Sequence, residues 1–458
     1  MSPEQLHPVD SPTEATMQVT EGRFKRVLGV PSLVLFGLVY MVPLTVFTTY
    51  GIVTVLTGGR VAMAYVVTLV VMVFTARSYA RMAVAYPYSG SAYIYTQQTF
   101  GGAIGFLAGW ALLLDYLFLP MINYLVVGLY LTEAFPAVPS WVWIVVSIAI
   151  VTVLNIIGII SVARANFVII AVQTIFVVVF VWLALGTGVG HGVDPLRPFT
   201  GDGSVGELGP LFGGAAILCL SFLGFDSVST LAEEAKDAKR TVPRAILITT
   251  IGAGLVFILL AFSAQFAYPS NQFESADTAA IDVTMAVGSH WLSAMFIAGY
   301  VAGALGSALT SQASVSRILF AMGRDGVLPR VVFGRLNERF GTPVIATLVV
   351  SAFSLAAIWI DLALLSNMIS FGALMAFSMV NLSVLKHYFI DEKERSGSKV
   401  FSNLVLPLIG FGLTVWLWTS LSGQTFVVGL SWLALGFVIL LVVTRFFRRP
   451  TPMLDLKE

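Results

Sequence analysis

Along most of this chain, apolar residues do not alternate with polar ones at helical or strand spacing. They run on in blocks too long to be the buried stripe of a water-facing helix. Each block is about 18–30 residues, the length a helix needs to cross the hydrocarbon of a bilayer. The pattern predicts twelve spans: Pro31–Val55, Val61–Met82, Gly102–Leu131, Trp141–Ser161, Ala165–Leu185, Pro210–Leu231, Val242–Ala267, Gly288–Arg317, Pro343–Ile360, Leu365–Lys386, Phe401–Leu421 and Thr425–Val443. Two of them are interrupted. The first carries Gly37, Pro43 and Gly51; the sixth carries Gly213, Gly214 and Gly224. Gly/Pro-marked spans five apart point to a transporter built from inverted repeats, with its site at the breaks.

Composition agrees. Of 458 residues, 57% are hydrophobic and 11% charged, against about 25% charged in soluble domains. Mean hydropathy is +0.90. The chain is therefore expected to be an all-α integral membrane protein. With both tails on one face, only Arg60 and Arg197 of the 25 Lys and Arg fall on the other. That bias predicts cytoplasmic N- and C-termini and a multi-pass protein of the cell (inner) membrane. Residues 1–22 are polar and acidic, the reverse of a secretory signal, so the first span is expected to stay uncleaved.

Several classes fall away. A net charge of +1 gives no reason to expect nucleic acid. Cys219 is the sole cysteine, which excludes intrachain disulfides, Cys-based zinc sites and iron–sulfur ligation. His7, His191, His290 and His387 fall in tails, loops or span ends, not as a pair within the membrane. No cofactor or resident metal is expected, and no nucleophile–His pair suggests an enzyme. A proton-conducting respiratory subunit would need mid-membrane Lys and His, and a sensor would need a signalling domain.

Two acids lie deep in spans: Asp115 in GWALLLDYLFLP and Asp226 in SFLGFDSV. Charge in hydrocarbon is expensive, so an intramembrane carboxylate is a functional candidate. No Lys or Arg lies at comparable depth. Each acid either binds a cationic substrate or coupling ion, or sits protonated against a neighbouring helix. Tyr40, Tyr116, Phe222 and Phe225 accompany them, and aromatic faces hold ammonium groups. In span 8, Gly299, Gly303 and Gly306 precede Ser307, Thr310, Ser311 and Ser314. This small-residue spacing suits close helix packing; alternatively the hydroxyls, Ser311 among them, ligate Na+ with span 1 carbonyls.

Three motifs bring a family into view: FLGFDSVSTLAEEAKDAKRTVPRAI (Phe222–Ile246), SVSRILFAMGRDGVLP (Ser314–Pro329, with Thr342-Pro343 beyond), and GWALLLDYLFLPMIN (Gly109–Asn123). The chain resembles the amino acid–polyamine–organocation (APC) transporters over nearly its whole length. GLVYMVPLTVFTTYGIV and LLDYLFLPMIN look closest to the family's bacterial putrescine-importer branch. The resemblance implies a leucine-transporter-type fold. Residues 31–190 and 208–390 would be the two inverted repeats, spans 1–5 and 6–10. Residues 400–446 would be two peripheral helices, and 1–30 and 447–458 cytoplasmic tails. It also implies a break at Met41–Thr45, an aromatic gate at Phe222, a substrate-facing Tyr116 and a binding acid at Asp226. Glu233 and Glu234 match an acidic pair that either helps bind substrate or pairs with Lys236 and Arg240. Two departures stand out. Gln173 replaces a lysine that proton-coupled members often carry in span 5. Thr48 stands where putrescine-type members carry an acid.

The expected function is import of a small amine-bearing solute, coupled to H+ or Na+. A putrescine-like polyamine is the first expectation and an amino acid the alternative. Asp226 would bind the ammonium, with Tyr40, Tyr116, Phe222 and Phe225 around it and Thr45 at the span 1 break. Asp115, Gln173, Ser311, Glu233 and Glu234 are candidates for coupling or secondary contacts. The expected partners are a small cationic or zwitterionic substrate and the lipid bilayer, for a monomer or homodimer.

Overall fold

The apolar blocks fold as helices because a backbone in hydrocarbon must satisfy its own hydrogen bonds. The computed structural model describes residues 28–88, 91–157, 162–203, 207–324, 328–337, 340, 342–448 and 451. Among these, eleven helical segments are long and apolar enough to cross a membrane, and Val344–Ile358 is a shorter apolar helix at the ninth predicted position. The protein is an all-α, multi-pass membrane protein.

Span 3 (Gly102–Ala134) is the axis of the bundle. Its apolar window is 89% buried, against 17% for span 12 (Gly423–Val443), which leaves span 12 peripheral. Span 3 packs along span 8 (Ala279–Arg324) and span 10 (Leu362–Val384), and span 2 (Val61–Ala85) packs along span 7 (Ala238–Ala267). Span 12 is fastened to span 3 by a reciprocal pair. Trp110 Nε1 donates to the Trp432 carbonyl, Trp432 Nε1 donates to the Trp110 carbonyl, both at 2.8 Å, and the indoles stack. Span 5 (Val162–Gly190) turns Val178 and Trp182 outward, which suits lipid.

The first and sixth spans are both broken. Span 1 is Val30–Met41, then a 3₁₀ segment Pro43–Thr48, then Tyr50–Thr57. Val42 between the first two has φ 52°, ψ 101°. Proline disfavours the α conformation in the residue before it, and Val42 leaves the helix there. Span 6 is Leu208–Leu218, a 3₁₀ turn Cys219–Phe222, and a 3₁₀ segment Ser227–Glu234. Leu223 is extended and Gly224 has φ 129°. The start of span 1 is tied to the end of span 6: Leu28 N donates to Glu234 O and Lys236 N to Leu28 O, both at 3.0 Å.

Three expectations need refinement. A separate helix from Ala279 meets span 8 at a kink at Ser289 (φ 61°), so span 8 proper starts beside the expected Gly288. A helix not anticipated, Ser91–Phe100, lies between spans 2 and 3, with Tyr95 fully buried. The marker glycines and proline divide into two kinds. Pro43 and Gly224 sit at the breaks. Gly37, Gly51 and Gly214 lie in helices and permit close approach: a Cβ on Gly37 would stand 2.7 Å from Thr249, and one on Gly214 2.6 Å from Thr57. The expected tail over residues 1–27, Ser161 at the end of span 4, and 452–458 lie outside the described residues.

Candidate functional site

Breaking a membrane helix frees backbone groups, which are tolerated only where protein or a cavity satisfies them. Such a cavity lies between the two breaks. It is small, with a volume of about 30 Å³, room for little more than a water or two, and is lined by spans 1, 3, 6 and 8. Span 1 supplies Tyr40, Met41, Val42, Thr45 and Thr48; span 6 supplies Leu220 and Leu223. Asn123 and Ser307 face it from spans 3 and 8, and Asn123 Nδ2 donates to Ser307 Oγ at 3.1 Å. Among the described residues, no Lys, Arg or His lines it.

Side-chain contacts border the cavity at both ends. At one end the Thr48 and Tyr300 hydroxyls hydrogen-bond to each other, and Tyr130 Oη donates to the Phe47 carbonyl at 3.2 Å. Above them Phe47 meets the edges of Phe180 and Phe296, and Tyr130 meets Tyr300. At the other end Gly224 abuts Tyr40 and Met41, and beyond that contact lies Asp226.

Asp226 is 3% exposed. The Gly224 N–H donates to its Oδ1 at 3.3 Å, and Ser91 Oγ, from the short helix, donates to Oδ2 at 3.5 Å. Ser227 and Ser229 turn their hydroxyls back onto the Gly224 and Asp226 carbonyls, both at 2.6 Å, satisfying acceptors the break exposes. Asp226 lies within electrostatic reach of Asp115 and of Tyr40, Tyr79, Tyr95 and Tyr116. Asp115 is 4% exposed, and among the described residues no hydrogen bond or ion pair reaches it.

The other candidates separate. Tyr40 and Thr45 line the cavity, and Thr45 Oγ1 donates to the Met41 carbonyl at 2.6 Å. Tyr116 is buried beside the two acids. Phe222 and Phe225 do not line the cavity: Phe222 packs on Phe257, and Phe225 on Tyr79 and Phe377. Ser311 spends its hydroxyl on the Ser307 carbonyl at 2.7 Å, one turn from the cavity. Gln173 is buried against span 8, its Nε2 donating to Gly299 O at 3.5 Å and its Oε1 without a partner among the described residues. Glu234 is half-buried, Arg240 pairs with Asp237, and the side chain of Glu233 lies outside what is described. Asn123, Tyr300 and Ser91 were not anticipated.

A bundle of membrane helices around two broken spans, with a cavity between the breaks, defines a membrane permease. The chain belongs to the amino acid permease family, whose sequence profile matches residues 33–456. It is 38% identical over 448 residues to the low-affinity putrescine importer PlaP of Escherichia coli (strain K12), covering 96% of this chain and 98% of that one. It is 26% identical over 452 residues to the branched-chain amino acid permease BcaP of Bacillus subtilis (strain 168), covering 93% and 94%. It is 24% identical over 440 residues to a methylthioribose transporter of the same organism, covering 92% and 94%.

Proposed function

We propose that this permease is a secondary active importer of a putrescine-like polyamine across the cytoplasmic membrane, with the substrate ammonium bound by Asp226. The observation that carries the reading is a buried carboxylate, with no basic side chain near it among the described residues, next to a cavity whose polar lining includes Tyr40, Tyr300 and Asn123. Burying an unpaired charge is costly, and a cationic ligand supplies the missing partner. The similarity to PlaP over nearly the whole chain supports the same substrate class. Both tails are cytoplasmic, residues 31–190 and 208–390 act as opposed repeats, and the substrate is exposed to each side in turn. H+ or Na+ drives the cycle, and the protein works as a monomer or homodimer.

Labelled putrescine uptake into proteoliposomes tests this. Asp226→Asn should cut uptake at low substrate by at least about tenfold, since a charge-assisted hydrogen bond is worth about 1.5–3 kcal/mol. Unchanged uptake would remove Asp226 from ammonium binding.

A second reading, an amino acid permease, is favoured by the similarity to BcaP. Competition by a panel of amines and amino acids decides. Inhibition by one amino acid and by no polyamine would reverse the order.

A further inference from the structure

Span 3 turns one stripe toward the cavity: Leu119, Ile122, Asn123 and Val126 all line it. Asp115 stands four residues before Leu119, and residues four apart on a helix lie one above the other. It therefore continues that stripe by one turn, toward the end where Tyr40 meets Gly224. Its backbone is pinned there: a Cβ on Gly372 of span 10 would stand 2.6 Å from the Ala111 carbonyl and 3.3 Å from Asp115 N. So Asp115 and Asp226 approach Tyr40 from different helices.

The two acids differ in how they are satisfied. Asp226 accepts from Gly224 and Ser91. Asp115 accepts from nothing described, though it is as deeply buried. Two carboxylates near each other cannot both ionise cheaply, because like charges disfavour the ionised pair. One cation offsets one of them and leaves the other uncompensated. Two cations on one flexible chain offset both.

We infer that Asp115 is the second ammonium subsite, so that the pair Asp115 and Asp226 selects a diamine over a monoamine of the same length. This rests on the reading of Asp226 as an amine site and adds its specificity. Asp226 holds one ammonium and Asp115 the other, with the methylene chain passing Tyr40.

The experiment compares putrescine and n-butylamine as competitors of labelled putrescine uptake by the full-length protein in proteoliposomes. The native chain should favour putrescine by at least about tenfold, the equivalent of 1.4 kcal/mol. Asp115→Asn should weaken putrescine by that factor and leave n-butylamine unchanged, collapsing the preference. Asp226→Asn should weaken both. Asp115→Glu keeps the charge and reaches one methylene further. It should retain diamine preference and shift it from putrescine toward 1,3-diaminopropane, a result a merely structural role would not give. Thermal unfolding of each variant reports folding. An Asp115→Asn protein that folds and keeps the native preference overturns the inference while leaving the amine reading intact. A native protein that competes with neither amine overturns both.

Discussion

Gly224 and Tyr40 touch across the two broken spans: a Cβ on the glycine would stand 2.9 Å from Tyr40 Cδ1 and 2.8 Å from Met41 Cγ. Gly224 also holds φ 129°, which side-chain-bearing residues rarely adopt. Gly224→Ala should therefore cost about 1–3 kcal/mol from backbone conformation alone, with the contact added. The expected outcome is a lower unfolding temperature and loss of most uptake. Gly252→Ala is the control, because a Cβ there meets open space.

Gln173 and Gly303 make a second such meeting. A Cβ at 303 would run into Gln173 Nε2 and stand 3.2 Å from Val42 Cγ1. Gly303→Ala should slow uptake strongly. Gln173→Ala removes the obstructing amide, so the double variant should recover part of the loss. The coupling should be about 0.5–3 kcal/mol, the range for residues in contact. Additive losses would show that the two positions act independently.

Cys219 offers a built-in control for accessibility. It is fully buried one residue before the cavity-lining Leu220, and its Sγ lies 3.5 Å from the Ala215 carbonyl. The native protein should resist a membrane-impermeant maleimide. In a Cys219→Ala background, Ser307→Cys places a thiol on the cavity wall. Labelling there should slow by about tenfold at putrescine near ten times its Kd, since only about a tenth of sites stay empty.

Glu394 makes a pH prediction away from the cavity. Its bonds with Lys399 and Asn403 hold its carboxyl below the ordinary glutamate range. A depressed folded value means the stabilisation is complete above about pH 4.3, the ordinary glutamate pKa. It is lost as pH falls through the lowered value. Glu394→Gln should unfold at a slightly lower temperature near pH 7, and the gap should close in stronger acid. The gap should also narrow in high salt, because the pair is exposed.

How far the sequence speaks for this structure depends on which constraint is read. Long apolar blocks reveal spans because hydrocarbon imposes length and self-satisfied backbone, and the ninth falls short only because its helix, Val344–Ile358, is brief. The break at Pro43 was legible because proline acts locally on Val42, and Gly224 because one glycine stood beside an acid. Direction at the breaks was not. In a 3₁₀ turn neighbours no longer follow helical spacing, so Phe222 could face Phe257 while Leu220 and Leu223 took the cavity. Asn123 carried a usable signal, lying eight residues after Asp115 on one helical face. Tyr300 and Ser91 carried none: nothing local marks a tyrosine that meets Thr48, or a serine opening a short helix that reaches Asp226.

The bridge between Leu28 and Ala235 yokes the leading half of span 1 to the trailing half of span 6. With Gly224 wedged against Tyr40 and Met41 some way along both, each half-helix is gripped by the other at two separated levels. Two rods pinned twice cannot swing independently. They form a single crank, so that floor of the cavity should open in one stroke, and a covalent staple between the two rods should leave turnover intact.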